Sequence, residues 1–416
     1  MAAVHIFDDA VPQLAPLTDL RPTFDIRTGA LTTLERLAVM LDVPIASLQV
    51  PQRLAAVTAK RHSLPVNVPL ASDRPVLLVN GRCVLPPPGL LELPVGEGLV
   101  EEGTGHLVAA CMESNAAQLF LSTQGTPSLR THTVPAPALL ARPWHVRRFR
   151  DAALALDLRL LAETQPHALT SMQQPDPARR YDPLPGTLHL GGDAVVAPTA
   201  RVFPGAVLDS EHGAIHVAEH AVVRPGAVLI GPCYVGPHST VLERATIRPG
   251  TAIGPWCKVN GEVGGTIFQG YANKAHDGYL GDAYVGEWVN LGAGTTVSNL
   301  LNTYGEVITR ATPTGSNERT GETFLGPVIG DHVKTAICTR IMTGSILHTG
   351  SMFATTAPVS GCVGPFTWAT DEGQRLYRLD KFLEVARAAM ARRKVEPSEP
   401  YVAALAALHA AAVRPR

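Results

Sequence analysis

Val217-Ala-Glu-His-Ala-Val-Val223-Arg-Pro-Gly-Ala-Val-Leu229-Ile-Gly-Pro-Cys-Tyr-Val235-Gly-Pro-His-Ser-Thr-Val241-Leu-Glu-Arg-Ala-Thr-Ile247-Arg-Pro-Gly-Thr-Ala-Ile253-Gly-Pro-Trp-Cys-Lys-Val259 places Val, Leu or Ile at every sixth position. An amphipathic helix needs a spacing near 3.6, and the strands of a sandwich alternate with period two over longer runs. A period of six suits short strands that coil and turn one side chain inward per stretch. The phase continues at Val196, Val202 and Leu208, at Tyr279, Val285, Leu291 and Val297, and at Ile329, Thr335, Ile341, Leu347, Phe353 and Val359. Turn residues fall between: Pro-Gly at 204–205, 225–226 and 249–250, Gly-Pro at 231–232, 236–237, 254–255, 326–327 and 364–365. The stretch 187–366 reads as a parallel β-solenoid. Its phase breaks at 260–278 and at 300–328, and a long excursion from a regular solenoid is usually functional or disordered.

Outward from the solenoid the texture changes. Residues 1–170 alternate short apolar runs (His5–Phe7, Val76–Val79, Leu107–Ala110, Leu119–Leu121) with helical stretches such as Leu31–Leu41 and Ala152–Leu161, an α/β layout. Residues 171–186 form a Pro-rich linker, and Ala/Leu/Arg-rich helices are expected over 372–416. With 416 residues, 45% apolar and 17% charged, the chain folds rather than remaining disordered. A net charge of −1 supplies no general field for nucleic acid. No apolar run is long enough to span a membrane, and the start through Asp9 has no signal-peptide pattern. Six cysteines without a Cys-x-x-Cys pair fit a reduced, cytoplasmic protein.

Polar groups that chemistry needs gather where the period breaks, in Gln269-Gly-Tyr-Ala-Asn-Lys-Ala-His276-Asp-Gly-Tyr279-Leu-Gly-Asp282 and Asn290-Leu-Gly-Ala293-Gly-Thr-Thr-Val-Ser-Asn299. A histidine takes a proton from an amine or hydroxyl at neutral pH, and a nearby carboxylate fixes its tautomer. The repeat and these residues resemble the hexapeptide acyltransferases, whose fold is a left-handed parallel β-helix. They resemble more closely the acetyltransferase domain of the GlmU-like family: Arg248-Pro-Gly, then Asn260-Gly-Glu262, then His276 fourteen residues later, with Tyr279, Asn290-Leu-Gly-Ala293-Gly-Thr and Asn299 in the matching places. The resemblance implies His276 as general base on a sugar amine and Glu262 as its orienting carboxylate. It implies Arg248 on the sugar phosphate, Tyr279 and Asn290 on the sugar, and Ala293 and Asn299 along an acetyl-CoA channel. It also implies a homotrimer. The pattern departs at Gly264, where a phosphate-side Lys is expected, at Leu300 in place of Tyr, and at Ile337 in place of a Ser. The bland alternatives are a turn role for His276, a surface role for Arg248, coil filling for Tyr279 and turn stacking for Asn290 and Asn299.

The first 170 residues resemble the divergent sugar-nucleotidyltransferase domain that precedes the β-helix in this family, through Leu14–Arg36, Phe7-Asp8-Asp9 and Val79-Asn80-Gly-Arg82. The implied chemistry joins a nucleoside triphosphate to a sugar 1-phosphate with Mg²⁺. Arg21, Arg27 and Asn80 are the candidate nucleotide contacts and Asp8 or Asp9 a metal ligand, against surface or capping roles. The ordinary Gly-x-Gly-Thr-Arg loop is absent and Arg82 replaces a metal-binding carboxylate, so the domain is either active or only binds and scaffolds. Two rival functions stand beside acyl transfer. One is a zinc carbonic anhydrase-like solenoid using His238, His276 and His332; the other is a non-catalytic repeat scaffold. No closed metal site is expected.

Overall fold

The six-residue period becomes three short parallel strands per coil. In the computed structural model, which describes residues 2–41, 43–70, 74–123, 128–164 and 186–413, a first solenoid face stacks six strands from Leu188–Leu190 to Tyr279–Gly281. A second face stacks nine, from Ala194–Val196 to Cys362–Val363. A third begins with Arg201–Val202, Val222–Val223, Thr240–Val241, Lys258–Val259 and Asn273–Lys274. Registers join like positions of successive coils, as in Leu208↔Leu229↔Ile247↔Val263↔Leu280, so each inward side chain sits on its counterpart one coil away. These residues are all fully buried. The expected solenoid and C-terminal helices are present. The linker read at 171–186 lies outside the described residues except for Gly186.

One register differs from the expectation. The six-residue phase puts Tyr279 inward, but it pairs with Glu262 on the outward row, and the inward position belongs to Leu280. Inside the break the inward steps shorten to four and five (Val259 to Val263 to Phe268), and the step from Leu280 to Val285 is again five, so counting back by six from Val285 lands on Tyr279, one residue before Leu280. The second break, at 300–328, holds a small antiparallel pair, Ile308–Thr309 with Glu318–Arg319.

At the corner between the second and third faces, His220, His238, Trp256, Tyr271, Trp288, His332 and Phe366 all adopt positive φ. A left-handed non-glycine residue is disfavoured, and bulky ones more so. Here the rings stack coil on coil: centroids lie 4.9 Å apart for His220–His238, 4.3 Å for His238–Trp256, 6.3 Å for Trp256–Tyr271 and 4.3 Å for Tyr271–Trp288. That aromatic packing offsets the backbone cost.

Contacts divide the chain into two units: Met1–Ile26, Leu31–His145 and Ser398–Ala407 in one, Arg27–Ala30, Val146–Pro397 and Leu408–Arg416 in the other. The first contains strands β1 (Ala3–Phe7), β2 (Ile45–Gln49), β3 (Val76–Asn80), β4 (Glu97–Glu101), β5 (Leu107–Met112) and β6 (Arg130–Val134), ordered β2-β1-β3-β5-β4-β6. The pairs β1–β2, β1–β3 and β4–β6 are parallel; β3–β5 and β4–β5 are antiparallel. Helix α1 (Thr33–Met40) starts on a reciprocal cap between Thr32 and Glu35, and α2 (Gln52–Arg61) follows β2. Leu119–Leu121, grouped above with the strand-like runs, lies in α3 (Ser114–Thr123); its buried residues Ala117 and Phe120 are spaced by three, too short a signal to separate helix from strand.

Helix α4 (His145–Thr164) falls almost wholly within the solenoid unit rather than on the N-terminal side of a division at 170. Arg150 pins it there, donating to the Gly265 carbonyl at 2.6 Å and to Asp282 at 2.7 Å. Helix α5 (Leu379–Ala391) lies against the aromatic corner, with Phe382 edge-on to His332 and Phe366. Helix α6 (Glu399–Val413) ends the described chain. No helix among the described residues is long and apolar enough to cross a membrane.

Truncating an inward side chain opens a cavity that the stacked coils cannot close. Leu229→Ala should therefore cost about 3 kcal/mol, while Val228→Ala on the outward row should cost well under half of that. Urea unfolding of both variants followed by circular dichroism checks the contrast.

Candidate active site

The outward rows of the first face carry the chemistry. Glu262 and Tyr279 sit in register on adjacent coils, and Arg248 follows the inward Ile247 one coil earlier. The Arg248 Nε donates to Glu262 Oε1 at 2.6 Å, with both side chains about half exposed to solvent. Gly264 eases this contact: a Cβ there would stand 3.2 Å from the Arg248 Cβ, so a side chain at this position would crowd Arg248. Gly281 does the same for the tyrosine, because a Cβ on it would meet the Tyr279 hydroxyl at 2.2 Å.

Tyr279 thus crosses to Asn299, whose Nδ2 donates to the phenol oxygen at 3.1 Å and to Asp282 Oδ2 at 2.8 Å. Asp282 also accepts from Arg150, and Arg147 lies 3.7 Å from it. Burial, with the Asp282 charge second, pushes the Tyr279 phenol above its ordinary range.

His276 occupies the corner between the third and first faces, in the turn joining Asn273–Lys274 to Tyr279–Gly281. It is exposed, and its ring makes no hydrogen bond among the described residues. The Asp277 carbonyl beside it accepts from Gly294 N at 3.2 Å, which sets this turn against Ala293–Gly294 of the next coil. The Cys338 N–H donates to the Ala293 carbonyl at 2.6 Å and brings the exposed Ile337 to the same corner.

Glu262 is therefore paired with Arg248 rather than hydrogen-bonded to His276. Asn290 stands apart on the third face, accepting from Asn273 Nδ2 at 2.8 Å and bridging to Lys334, whose ammonium burial pushes down to about 8. The structure brings Arg248, Glu262, Tyr279 and Asn299 onto one face and His276 and Ala293 onto the adjoining corner. Sequence reasoning missed Asp282, Arg150 and Lys274. Lys274 alone carried a signal, a charged residue six before the inward Leu280. His238 and His332 stand in the aromatic column, at a different corner from His276. No group of three or more His, Cys, Asp or Glu side chains among the described residues could hold a metal ion.

The candidates in the N-terminal half are internal. Arg21 is fully buried and donates to the Leu17 carbonyl at 3.2 Å. Arg27, in the solenoid unit, donates to the carbonyls of Ala30 and, at 3.4 Å, Gln269. Asn80 donates to Asp9 at 3.0 Å and the Leu107 carbonyl at 2.9 Å, and its own oxygen accepts from Arg82 N. Arg82 is buried against Asp9 in a two-point ion pair. Asp8 accepts from the Ala10 and Thr23 amides at 2.7 and 2.8 Å, while burial pushes its carboxyl up. Both oxygens of each carboxylate are engaged, so the pair does not form an open site for Mg²⁺.

Residues 4–165 match the family model described as sugar nucleotidyl transferase. The bifunctional protein GlmU of Rippkaea orientalis is 32% identical over 143 residues, 34% of this chain and 30% of that protein. GlmU of Gloeobacter violaceus is 38% identical over 107 residues, 24% of this chain and 23% of that protein. GlmU of Thermus thermophilus is 30% identical over 138 residues, 28% and 29% of the two chains. The chain is similar to these GlmU proteins over part of its length, and its matches span at most about a third of theirs. Among solved structures, a hexapeptide transferase family protein from Anaplasma phagocytophilum matches 53% of this chain and 96% of its own, with 14% identity and a TM-score of 0.18. The Arabidopsis UDP-N-acetylglucosamine acyltransferase matches 50% and 76%, with 11% identity and a TM-score of 0.19.

The Tyr279 phenol should ionise above 10, and Gly281→Ala should lower that value by driving the ring out of its burial and away from the Asp282 charge. Alkaline absorbance titration of each protein against its Tyr279→Phe counterpart isolates the one phenol. The sign follows from the neutral form being favoured in the fold: the stability it contributes is complete below 10 and is lost as pH rises beyond it.

Proposed function

We propose that the solenoid transfers an acetyl or related acyl group from acyl-CoA to the amine of an amino-sugar 1-phosphate. The observation that carries this reading is the exposed His276 on a corner beside a polar face holding Arg248, Glu262, Tyr279 and Asn299. In this reading His276 takes the proton from the sugar amine as its nitrogen attacks the thioester carbonyl. The C–N bond forms, the C–S bond breaks and the CoA sulfur leaves as thiolate. Arg248, half exposed, exchanges part of its pairing with Glu262 for the substrate phosphate. Tyr279 and Asn290 hold the sugar, and Ala293 and Asn299 line the acyl-CoA path.

Asn290 on the third face supports a homotrimer, because residues on two faces of one solenoid reach a common substrate when a second copy supplies one of them. Exposed Tyr304, Ile308, Phe324, Ile337 and Met342 supply apolar surface for such an assembly. For the N-terminal unit, the internally neutralised Asp9, Asn80 and Arg82 favour binding or scaffolding over nucleotidyl transfer. Nucleotidyl transfer with Mg²⁺, in a UDP-N-acetylglucosamine type of biosynthesis, is the second reading, favoured by the family match over 4–165. A cytoplasmic location fits substrates of this kind.

Protein incubated with acetyl-CoA and glucosamine 1-phosphate should release CoA thiol, and His276→Ala should lower that rate about 10²–10⁴-fold with the fold intact. Thiol assays on both proteins decide it; near-normal turnover in the variant removes His276 from the mechanism. Adding UTP and Mg²⁺ and following pyrophosphate tests the second activity, expected to be weak or absent.

A further inference from the structure

Lys274 occupies a position that every neighbouring coil gives to an aliphatic residue. In the column Val202↔Val223↔Val241↔Val259↔Lys274 its side chain points into the solenoid and is 1% exposed. A buried ammonium is costly unless its protons find acceptors. Here Nζ donates to three backbone carbonyls, those of Asn260 at 3.3 Å, Asp277 at 3.1 Å and His276. Burial lowers the ammonium to about 8, with the Asp277 charge opposing. An ammonium has three donors, and the three acceptors match that number.

The acceptors come from two turns. Asn260 belongs to the turn that leads into Glu262, and His276 and Asp277 belong to the turn that leads into Tyr279. The Asn260 turn falls where the step from Val259 to Val263 shortens to four, so it is not held by the regular coil ladder alone.

We propose that Lys274 is the positioning residue of the site, tying the His276 turn to the Asn260 turn from inside the coil. Lys274 touches no substrate. It acts through the backbone of His276, and this role rests on the reading of His276 as the general base. An aliphatic residue in its place would pack well in the column, leave the Asn260 and His276 carbonyls without this donor and leave the Asp277 carbonyl to Gly294 N alone, so the turns would loosen while the coils stayed closed.

The test uses Lys274→Met in the full chain. Amide hydrogen exchange over 275–279 should accelerate at least tenfold, while strands Val241, Ile253 and Val285 exchange as before and the melting temperature changes by a few degrees at most. Acyl transfer should lose about a hundredfold in kcat with KM for acetyl-CoA within twofold. Lys274→Gln, which keeps two donors on a shorter arm, should recover part of both. Unchanged exchange at 275–279 overturns the proposal, as does a loss in KM without a loss in kcat. If neither variant folds, Lys274 serves the core as a whole and the proposal falls. If the unaltered protein has no acyl transfer, the function reading fails while the exchange measurement still decides whether Lys274 holds the turn.

Discussion

One inward side chain per strand, stacked on its counterpart a coil away, is the constraint on which this molecule rests. The column admits Val, Ile or Leu with little tolerance, because the interior is only as wide as three such residues facing one another. Everything outward is released from that requirement. Glu262, Arg248 and Tyr279 can share a face because Val263, Ile247 and Leu280 beside them close the core. Chemistry and stability are separated along a two-residue alternation, and substitutions on one side of it leave the other largely untouched.

The period also explains how far the sequence could be read. Where steps of six persist, architecture and face follow from counting, and the strands over Val217–Val259 stand where the count puts them. Where a step of five intervenes, as from Leu280 to Val285, counting slips by one residue and turns a side chain from the interior to the surface. Tyr279 is the instance, and its outward placement is what allows it to reach Asn299. The motif residues were visible by type and spacing. Their pairings were not, because Arg248 takes Glu262 through a gap left by Gly264, a contact that depends on coil stacking rather than on sequence distance.

Arg150 marks the other limit. It lies 115 residues from the Gly265 carbonyl it binds, and nothing in its neighbourhood distinguishes it from the other arginines of α4. In the N-terminal sheet, apolar runs disclosed β1, β3 and β5, whereas the exposed β6 had no pattern to find. The Asp9–Arg82 pair shows a second kind of hidden information. An arginine where a carboxylate is expected reads from sequence as a lost ligand. In the fold it is a charge-compensating partner for Asp9.

The aromatic column carries a consequence for observing the protein. Trp256 and Trp288 stand on either side of Tyr271, all three rings within 23° of parallel between neighbours. Chromophores held so close and so fixed couple their excited states, giving a near-ultraviolet circular dichroism signature and a fluorescence that differ from those of isolated indoles. Phe382 of α5 packs against the end of the same column, edge-on to His332. Light absorption by the chain is therefore a built-in gauge of whether helix α5 is seated and the coils beneath it are wound.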